Sequence, residues 1–206
     1  MRVLVVYAHA NPKSFNHAIL EEFTRGLTGG GHTFEVLDLY AMKFDPCLRP
    51  HEFAIIRPKE DQDVLDQQAK VAKADALAFI YPNIWMGFPA ILKGWIERVF
   101  SYKFAYDLTE KGFAGRLEGR IPLLKHKKAL LINTTAWTEE DYKTSGMKDA
   151  MEKTMADYAL RFPGVQHVEH VFFYHVIAFD ITKNVDLSID KRKRYLELAY
   201  RLGKEF

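Results

Sequence analysis

Hydrophobic and polar positions along the chain fall into two alternating rhythms. VLVVY (3–7) is a short apolar run that reads as a strand, and Ile19, Phe23 and Leu27 then recur at helical spacing, predicting a helix over about 16–28. The glycines at 29–31, before His32, stop that helix, because glycine adopts the left-handed cap without penalty. TFEVLDLY (33–40) alternates as a second strand, and residues 41–60, with three prolines, read as irregular. Val64, Leu65, Gln68, Val71 and Ala72 draw a helix over about 61–73. ALAFIY (76–81) is continuously apolar, as a strand covered on both faces is. From Pro89 to Phe100 a helical face carries Ile91, Leu92, Trp95, Ile96, Val99 and Phe100. KALLINTT (128–135) and VEHVFFYHV (168–176) read as the last two strands, with helices near 146–161 and 187–203. The stretch 101–126 has little periodicity and is too long for a plain connector, so it is expected to cover a pocket or an interface.

Strands that alternate with helices predict one α/β domain over residues 1–206, with a parallel sheet between two helical layers. Five strands in a chain of this length suit the flavodoxin-like order 2-1-3-4-5, a three-layer sandwich. Ligands in such sheets bind outside the carboxyl ends of the strands. That rule selects three loops: 8–16, 82–88 and 134–145.

Composition narrows the partners. With 206 residues, 48% of them hydrophobic, the chain can bury one sizeable core. The net charge is +2, from 29 basic and 27 acidic residues, and KRKR (191–194) reads as a solvated helix face, so neither nucleic acid nor a membrane surface is indicated. No apolar run is long enough to span a bilayer, and no secretory signal is visible. Cys47 stands alone, which excludes an internal disulfide framework and suits a reducing cytoplasm.

The common cofactor motifs are missing. No G-x-G-x-x-G follows the first strand, and no Walker or G-x-S-x-G pattern occurs. His51-Glu52 has no second histidine to complete a zinc helix, and the spacing of His167, His170 and His175 puts His170 on the opposite strand face from the other two, so no metal is expected.

The three loops carry the chemistry instead. In HANPKSFN (9–16), a helix starting near Asn16 offers free N–H groups and a positive dipole end, to which Ser14, Asn16 and His9 can add donors for a phosphate. Ser14 as an ordinary N-cap serves equally well. YPNIWMGFP (81–89) is a turn stiffened by prolines, and its Trp85 suits either a flat heteroaromatic ring or a core aromatic closing the sheet. The third loop, from Thr134 to Lys148, offers hydroxyls, aromatics and a base, with a solvated EED in its middle. A phosphate site, an aromatic wall and a polar clamp at one sheet edge fit a flavin.

YAHANPKSFN (7–16), DLYAMKFDP (38–46), PNIWMGFPAILKGWIERVF (82–100) and FAY (104–106) make the chain resemble the NAD(P)H:quinone oxidoreductases of the DT-diaphorase type and their bacterial relatives. The resemblance runs from about residue 1 to 160 and more faintly beyond. It implies FAD, with FMN as the alternative, and NAD(P)H as co-substrate. It implies flavin phosphates on His9, Ser14, Phe15 and Asn16, and a ring edge on Pro82, Asn83, Ile84 and Trp85. It implies further flavin contacts from Thr134, Thr135, Ala136 and Trp137, Tyr142 by the pyrimidine end, and Arg192 by an adenine. Met86 and Tyr106 would line a quinone pocket built across a homodimer interface. Three departures stand out: Ala136-Trp137 replaces a glycine pair, Lys148 stands where vertebrate relatives have a histidine, and the segment between the second and third strands is shorter. The expected activity is hydride transfer from NAD(P)H through the flavin to a quinone, with Tyr142 as donor or Lys148 as cation stabilising the reduced ring. The alternatives are an azo- or nitroreductase of the same fold, a flavin-binding ancillary subunit of a membrane transporter, and a flavodoxin-type carrier, against which the net charge argues.

Overall fold

β1 (Arg2–Tyr7) pairs in parallel with β2 (Thr33–Asp38) on one side and β3 (Ala76–Pro82) on the other. β3 pairs with a strand at Lys128–Thr134, and that strand with His167–Phe173, all parallel. The central sheet therefore runs 2-1-3-4-5 in the order its strands occur along the chain, as expected from the pattern. The computed structural model describes residues 1–52 and 59–206; residues 53–58 of the expected irregular segment lie outside the described residues.

Between the strands lie α1 (Phe15–Gly29), α2 (Gln62–Lys73) and α3 (Ala90–Val99). The stretch 101–126 holds a small hairpin, β4 (Tyr106–Leu108) with β5 (Arg120–Pro122), around a short helix α4 (Glu110–Phe113). It bonds to the start of the following strand's layer, Leu124 N–H donating to the Pro163 carbonyl and Lys127 N–H to that of Asp75. These contacts set it at the amino ends of the strands. The fourth sheet strand is β6 (Lys128–Thr134), followed by α5 (Glu139–Thr144) and α6 (Met147–Met151). α6 continues into a π-helical stretch, Glu152–Arg161, then come β7 (His167–Phe173), a small hairpin of β8 (Phe179–Asp180) and β9 (Val185–Asp186), and α7 (Ile189–Lys204).

The pleat sorts the core into two layers. Val3, Val5, Tyr7, Ala78, Ile80, Leu130 and Ile132 face α1 and α7, while Leu4, Val6, Phe79, Tyr81 and Leu131 face α3 and the π-helical stretch. The expected last strand is shorter than its apolar run, because His175 takes a positive φ of 57° and turns the chain away. The expected helix over 146–161 is real but widened. Its buried residues are Met151, Met155, Ala156 and Leu160, and Phe162 N–H bonds back five residues to Asp157.

Candidate functional site

Ser14 caps α1: its Oγ accepts the His17 N–H at 3.2 Å. The cap does not exclude an anion, because the first backbone N–H groups of a helix have no partner within it. The first turn of α1 also holds no acidic side chain to neutralise the dipole. Asn11 N–H donates to His9 Nδ1 at 3.0 Å, so the neutral ring carries its proton on Nε2, and burial keeps it neutral by lowering its pKa. Asn16 is 4% exposed; its Nδ2 donates to Thr134 Oγ1 at 2.8 Å, and its Oδ1 has no partner among the described residues. An unpaired buried amide oxygen costs about 1–3 kcal/mol, and Asn16 Oδ1 is one of eight buried side-chain polar atoms without a partner among the described residues, here beside the start of α1.

These residues open into one cleft of about 530 Å³, lined by His9, Ser14, Phe15, Asn16, Pro82, Thr134 and Arg192 together with Lys13, Val176 and Ile177. Residues from positions 9 to 192 thus meet at the carboxyl ends of β1, β3 and β6. Arg192 is held there by Asp186 at 2.6 Å, Ser188 Oγ at 2.7 Å and the Val176 carbonyl at 3.2 Å. Two bonds from Ser188 and the Arg192 guanidinium pull the Asp186 carboxyl down to about 2, so it stays charged. Arg192 of the KRKR run is therefore built into the cleft wall, not a solvated charge. Lys13 was the residue that sequence reasoning passed over, although it sits beside Ser14 in the motif.

The second loop holds its shape by strain. Ile84 and Gly87 exchange backbone hydrogen bonds of 3.2 and 3.1 Å, and between them Trp85 and Met86 take φ of 50° and 56°. Two positive φ angles make a type I′ turn, which normally selects Gly or Asn. Trp85 is 98% exposed, so it does not close the core. With Ile84, Phe88, Lys93, Met155 and Tyr158 it borders a second, largely apolar cleft of about 560 Å³. A large apolar side chain held in a disfavoured conformation and given to solvent is a functional signal.

The second and third loops are tied together by Tyr142. Its hydroxyl accepts from Asn83 Nδ2 and bonds Thr135 Oγ1 at 2.7 Å, while its ring is fully buried against Phe172 and Tyr174. Asn83 N–H donates to the Thr134 carbonyl at 2.8 Å, and Asn83 Oδ1 is a second buried oxygen without a partner. Asn83 Nδ2 also lies 3.7 Å from Met86 Sδ. Ala136 and Trp137 are exposed, and Trp137 borders a separate shallow hollow with Asp141 and Met147. The EED run is not merely solvated: Thr138 and Asp141 form a capping box at the start of α5.

Of the expected site residues, Asn83, Met86, Tyr106, Thr135, Ala136, Trp137, Tyr142 and Lys148 line neither cleft. Tyr106 lies at the amino-end hairpin, packed on Tyr102 and Phe162. Lys148 is half-buried on α6 and lines neither cleft; its positive field reaches Glu139, Glu152 and His170. Among the described residues, His51, Glu52 and Asp61 form a cluster with metal-like spacing, but Arg98 and Arg49 take up its carboxylates. No helix of the described residues is long and apolar enough to cross a membrane.

Comparison with known proteins bears on the family and the fold. A family model described as a flavodoxin-like fold matches residues 1–197. A mouse ribosyldihydronicotinamide dehydrogenase [quinone] is 31% identical over 95% of this chain and 87% of its own length. NAD(P)H dehydrogenase [quinone] 1 of Cavia porcellus is 34% identical over 85% of this chain and 69% of its own length. Among solved structures, an NAD(P)H:quinone oxidoreductase from Methanothermobacter marburgensis superposes with a TM-score of 0.86 and 33% identity, covering 99% of this chain and 98% of that one. With a family model over nearly the whole chain and relatives more than 30% identical along most of it, the chain belongs to the flavodoxin-like NAD(P)H:quinone oxidoreductase family.

Proposed function

We propose that the chain is a flavin-dependent NAD(P)H dehydrogenase that reduces quinones at the carboxyl edge of its sheet. The observation that carries this reading is the pair of buried, unpartnered amide oxygens, Asn16 Oδ1 and Asn83 Oδ1, on either side of Thr134. One lies beside a helix N-terminus and the other beside an exposed tryptophan, an arrangement that suits a ligand with a phosphate at one end and a flat polar ring at the other. When bound, the flavin takes hydride from NAD(P)H and passes it on to the acceptor.

The α1 N-terminus with His9, Ser14, Phe15 and Asn16 holds the phosphate end. Pro82, Asn83, Ile84 and Trp85 bound the ring on one side, and Thr134, Thr135, Ala136 and Trp137 on the other. The cleft continues past Ile177 to Arg192, which gives room beyond a single phosphate and favours FAD over FMN. Tyr142 as a donor at its phenol oxygen, or Lys148 as a cation acting from outside both clefts, would steady negative charge on a reduced ring. Met86 flanks the acceptor side. Tyr106 is too far round the sheet to serve its own cleft, so its role in the pocket requires a partner copy, which supports a homodimer. The lone Cys47, exposed, fits a cytoplasmic setting.

The absorption spectrum of the purified chain, with mass identification of the flavin released on denaturation, tests the cofactor. A yellow protein that yields FAD is expected; a colourless one that takes up neither FAD nor FMN overturns the proposal. Steady-state NAD(P)H oxidation against quinones, an azo dye and a nitroaromatic then tests the acceptor. Preferential turnover of quinones is expected, and absence of turnover would leave a flavin-binding ancillary subunit as the better reading.

A further inference from the structure

We infer that Tyr7 is a positioning residue that commits the hydroxyl proton of Ser14 to an anionic oxygen in the α1 cleft. This deepens the flavin reading above and rests on it.

The argument is one of hydrogen-bond satisfaction. Tyr7 is fully buried near the end of β1, on the α1 face of the sheet, and it does not line the cleft. The one hydrogen-bond neighbour of its hydroxyl among the described residues is Ser14 Oγ, at 3.3 Å. That is long for an O–H···O bond, so distance alone does not assign the donor. Burial does. If Ser14 were the donor, the phenol proton would point into a dry layer with no acceptor, which buried donors avoid. Burial also raises the Tyr7 pKa, so the phenol keeps its proton.

Tyr7 therefore donates to Ser14. So does the His17 backbone N–H, at 3.2 Å. A serine oxygen has two lone pairs, and both are now occupied. Its own proton has to leave in the remaining direction, and Ser14 lines the cleft. Ser14 is thus a donor of fixed direction placed beside the free N–H groups of α1, with no capacity left to accept. Asn16 offers the opposite: a buried Oδ1 in the same cleft that can only accept. The two side chains divide the site, Ser14 toward a phosphate oxygen and Asn16 toward a hydroxyl of the ligand.

The consequence is selectivity for a phosphorylated flavin over riboflavin. Titration of the apo-protein by flavin fluorescence with riboflavin, FMN and FAD reads it directly. Tyr7→Phe removes the donor that fixes the Ser14 hydroxyl, leaving its proton free among about three staggered positions, so FMN and FAD affinity should fall roughly threefold, while riboflavin affinity stays unchanged. Ser14→Gly, which keeps most of the helix cap, should cost at least as much toward FMN, and Tyr7→Phe should add nothing in that background. Equal losses for riboflavin and FMN, no loss for FMN, or additive effects of the two changes would each overturn the inference. Should Tyr7→Phe fail to fold, Ser14→Gly alone decides: an unaltered preference for FMN over riboflavin refutes a directed Ser14 proton. A wild-type chain that binds none of the three ligands overturns the flavin reading, and this inference with it.

Discussion

Replacing Tyr142 with Phe separates a structural from a catalytic use of one oxygen atom. The hydroxyl accepts from Asn83 Nδ2 and bonds Thr135 Oγ1 at 2.7 Å, so its removal strips the Asn83 amide of its side-chain oxygen partner in a site where Asn83 Oδ1 is already unpaired. A buried polar group left without a partner costs about 1–3 kcal/mol, and the isosteric ring keeps its contacts with Phe172 and Tyr174. The denaturation midpoint should fall accordingly. If the same oxygen also steadies charge on a reduced flavin, the loss of a charge-assisted bond removes a further 1.5–3 kcal/mol, roughly 10- to 100-fold in the rate of flavin reduction. Stopped-flow reduction of the loaded protein at saturating NAD(P)H measures that rate, and chemical denaturation of the same sample measures the stability. A variant that is destabilised yet reduced at the wild-type rate would refute the catalytic use of Tyr142 and leave it as the tie between two loops. A variant as stable as wild type would refute the tie.

Three further outcomes follow from other parts of the molecule. Arg98 is fully buried and bonds Glu52 at 2.7 Å, Asp63 at 2.7 Å and the Asp45 carbonyl at 2.8 Å; Arg98→Met should cost about 3–5 kcal/mol by stranding a buried Glu52, and adding Glu52→Gln should recover much of it in denaturant titrations. Trp85→Gly should leave the melting temperature unchanged or higher, because glycine relieves a φ of 50°, while acceptor turnover falls; parallel losses of stability and turnover would sink this reading of the turn. Burial pushes His170 from 6.5 down to about 3, so the folded chain binds fewer protons there than the unfolded chain between these values. Its contribution is complete above the unfolded value and is lost as pH falls toward 3, at up to about 1.4 kcal/mol per pH unit. His170→Leu should flatten the stability profile between pH 6 and 4 by about one proton's slope, and superimposable slopes would contradict it.

How much of this was legible before folding depends on the range of the interaction. β1, β3 and β6 are buried on both faces, so their apolar runs needed only local reading, and the sheet-edge rule then found the right loops. The helix starts were legible for the same reason, since Ser14 announces α1 from the adjacent residue. Arg98 was not legible as a hub, because its partners lie 35 to 53 residues away and are charged residues of ordinary appearance. Tyr142 read as a donor facing a ligand because the family resemblance put it after the fourth strand by a flavin's pyrimidine end; only the packed structure shows its ring buried, with its hydroxyl bonded to Asn83. The exposure of Trp85 was half legible: the proline-flanked turn left a ligand-facing ring and a core aromatic equally open, and the Ile84–Gly87 closure decides between them. Nothing in the chain between Met147 and Arg161 breaks a helix, and its buried positions keep ordinary helical spacing, so the widening to π geometry shows only in the backbone bonds.

The two threonines at the end of β6 explain why these pieces hold together as one site. Successive residues of a strand point to opposite faces. Thr134 turns toward α1 and accepts from Asn16, while Thr135 turns toward the other layer and meets Tyr142. The Thr134 carbonyl accepts the Asn83 N–H, so the second loop is fastened to the same strand end through the backbone. One dipeptide therefore connects the phosphate-type cleft, the strained tryptophan turn and the buried tyrosine. A hydroxyl at each position is needed because each face presents a polar group with no other partner for that bond, and a β-branched residue suits the strand. Among the buried side-chain atoms without a partner in the described residues, Asn16 Oδ1 and Asn83 Oδ1 belong to the two residues bonded directly to Thr134. A ligand that satisfied both would bridge the two loops across Thr134, at the strand end to which this dipeptide fastens them.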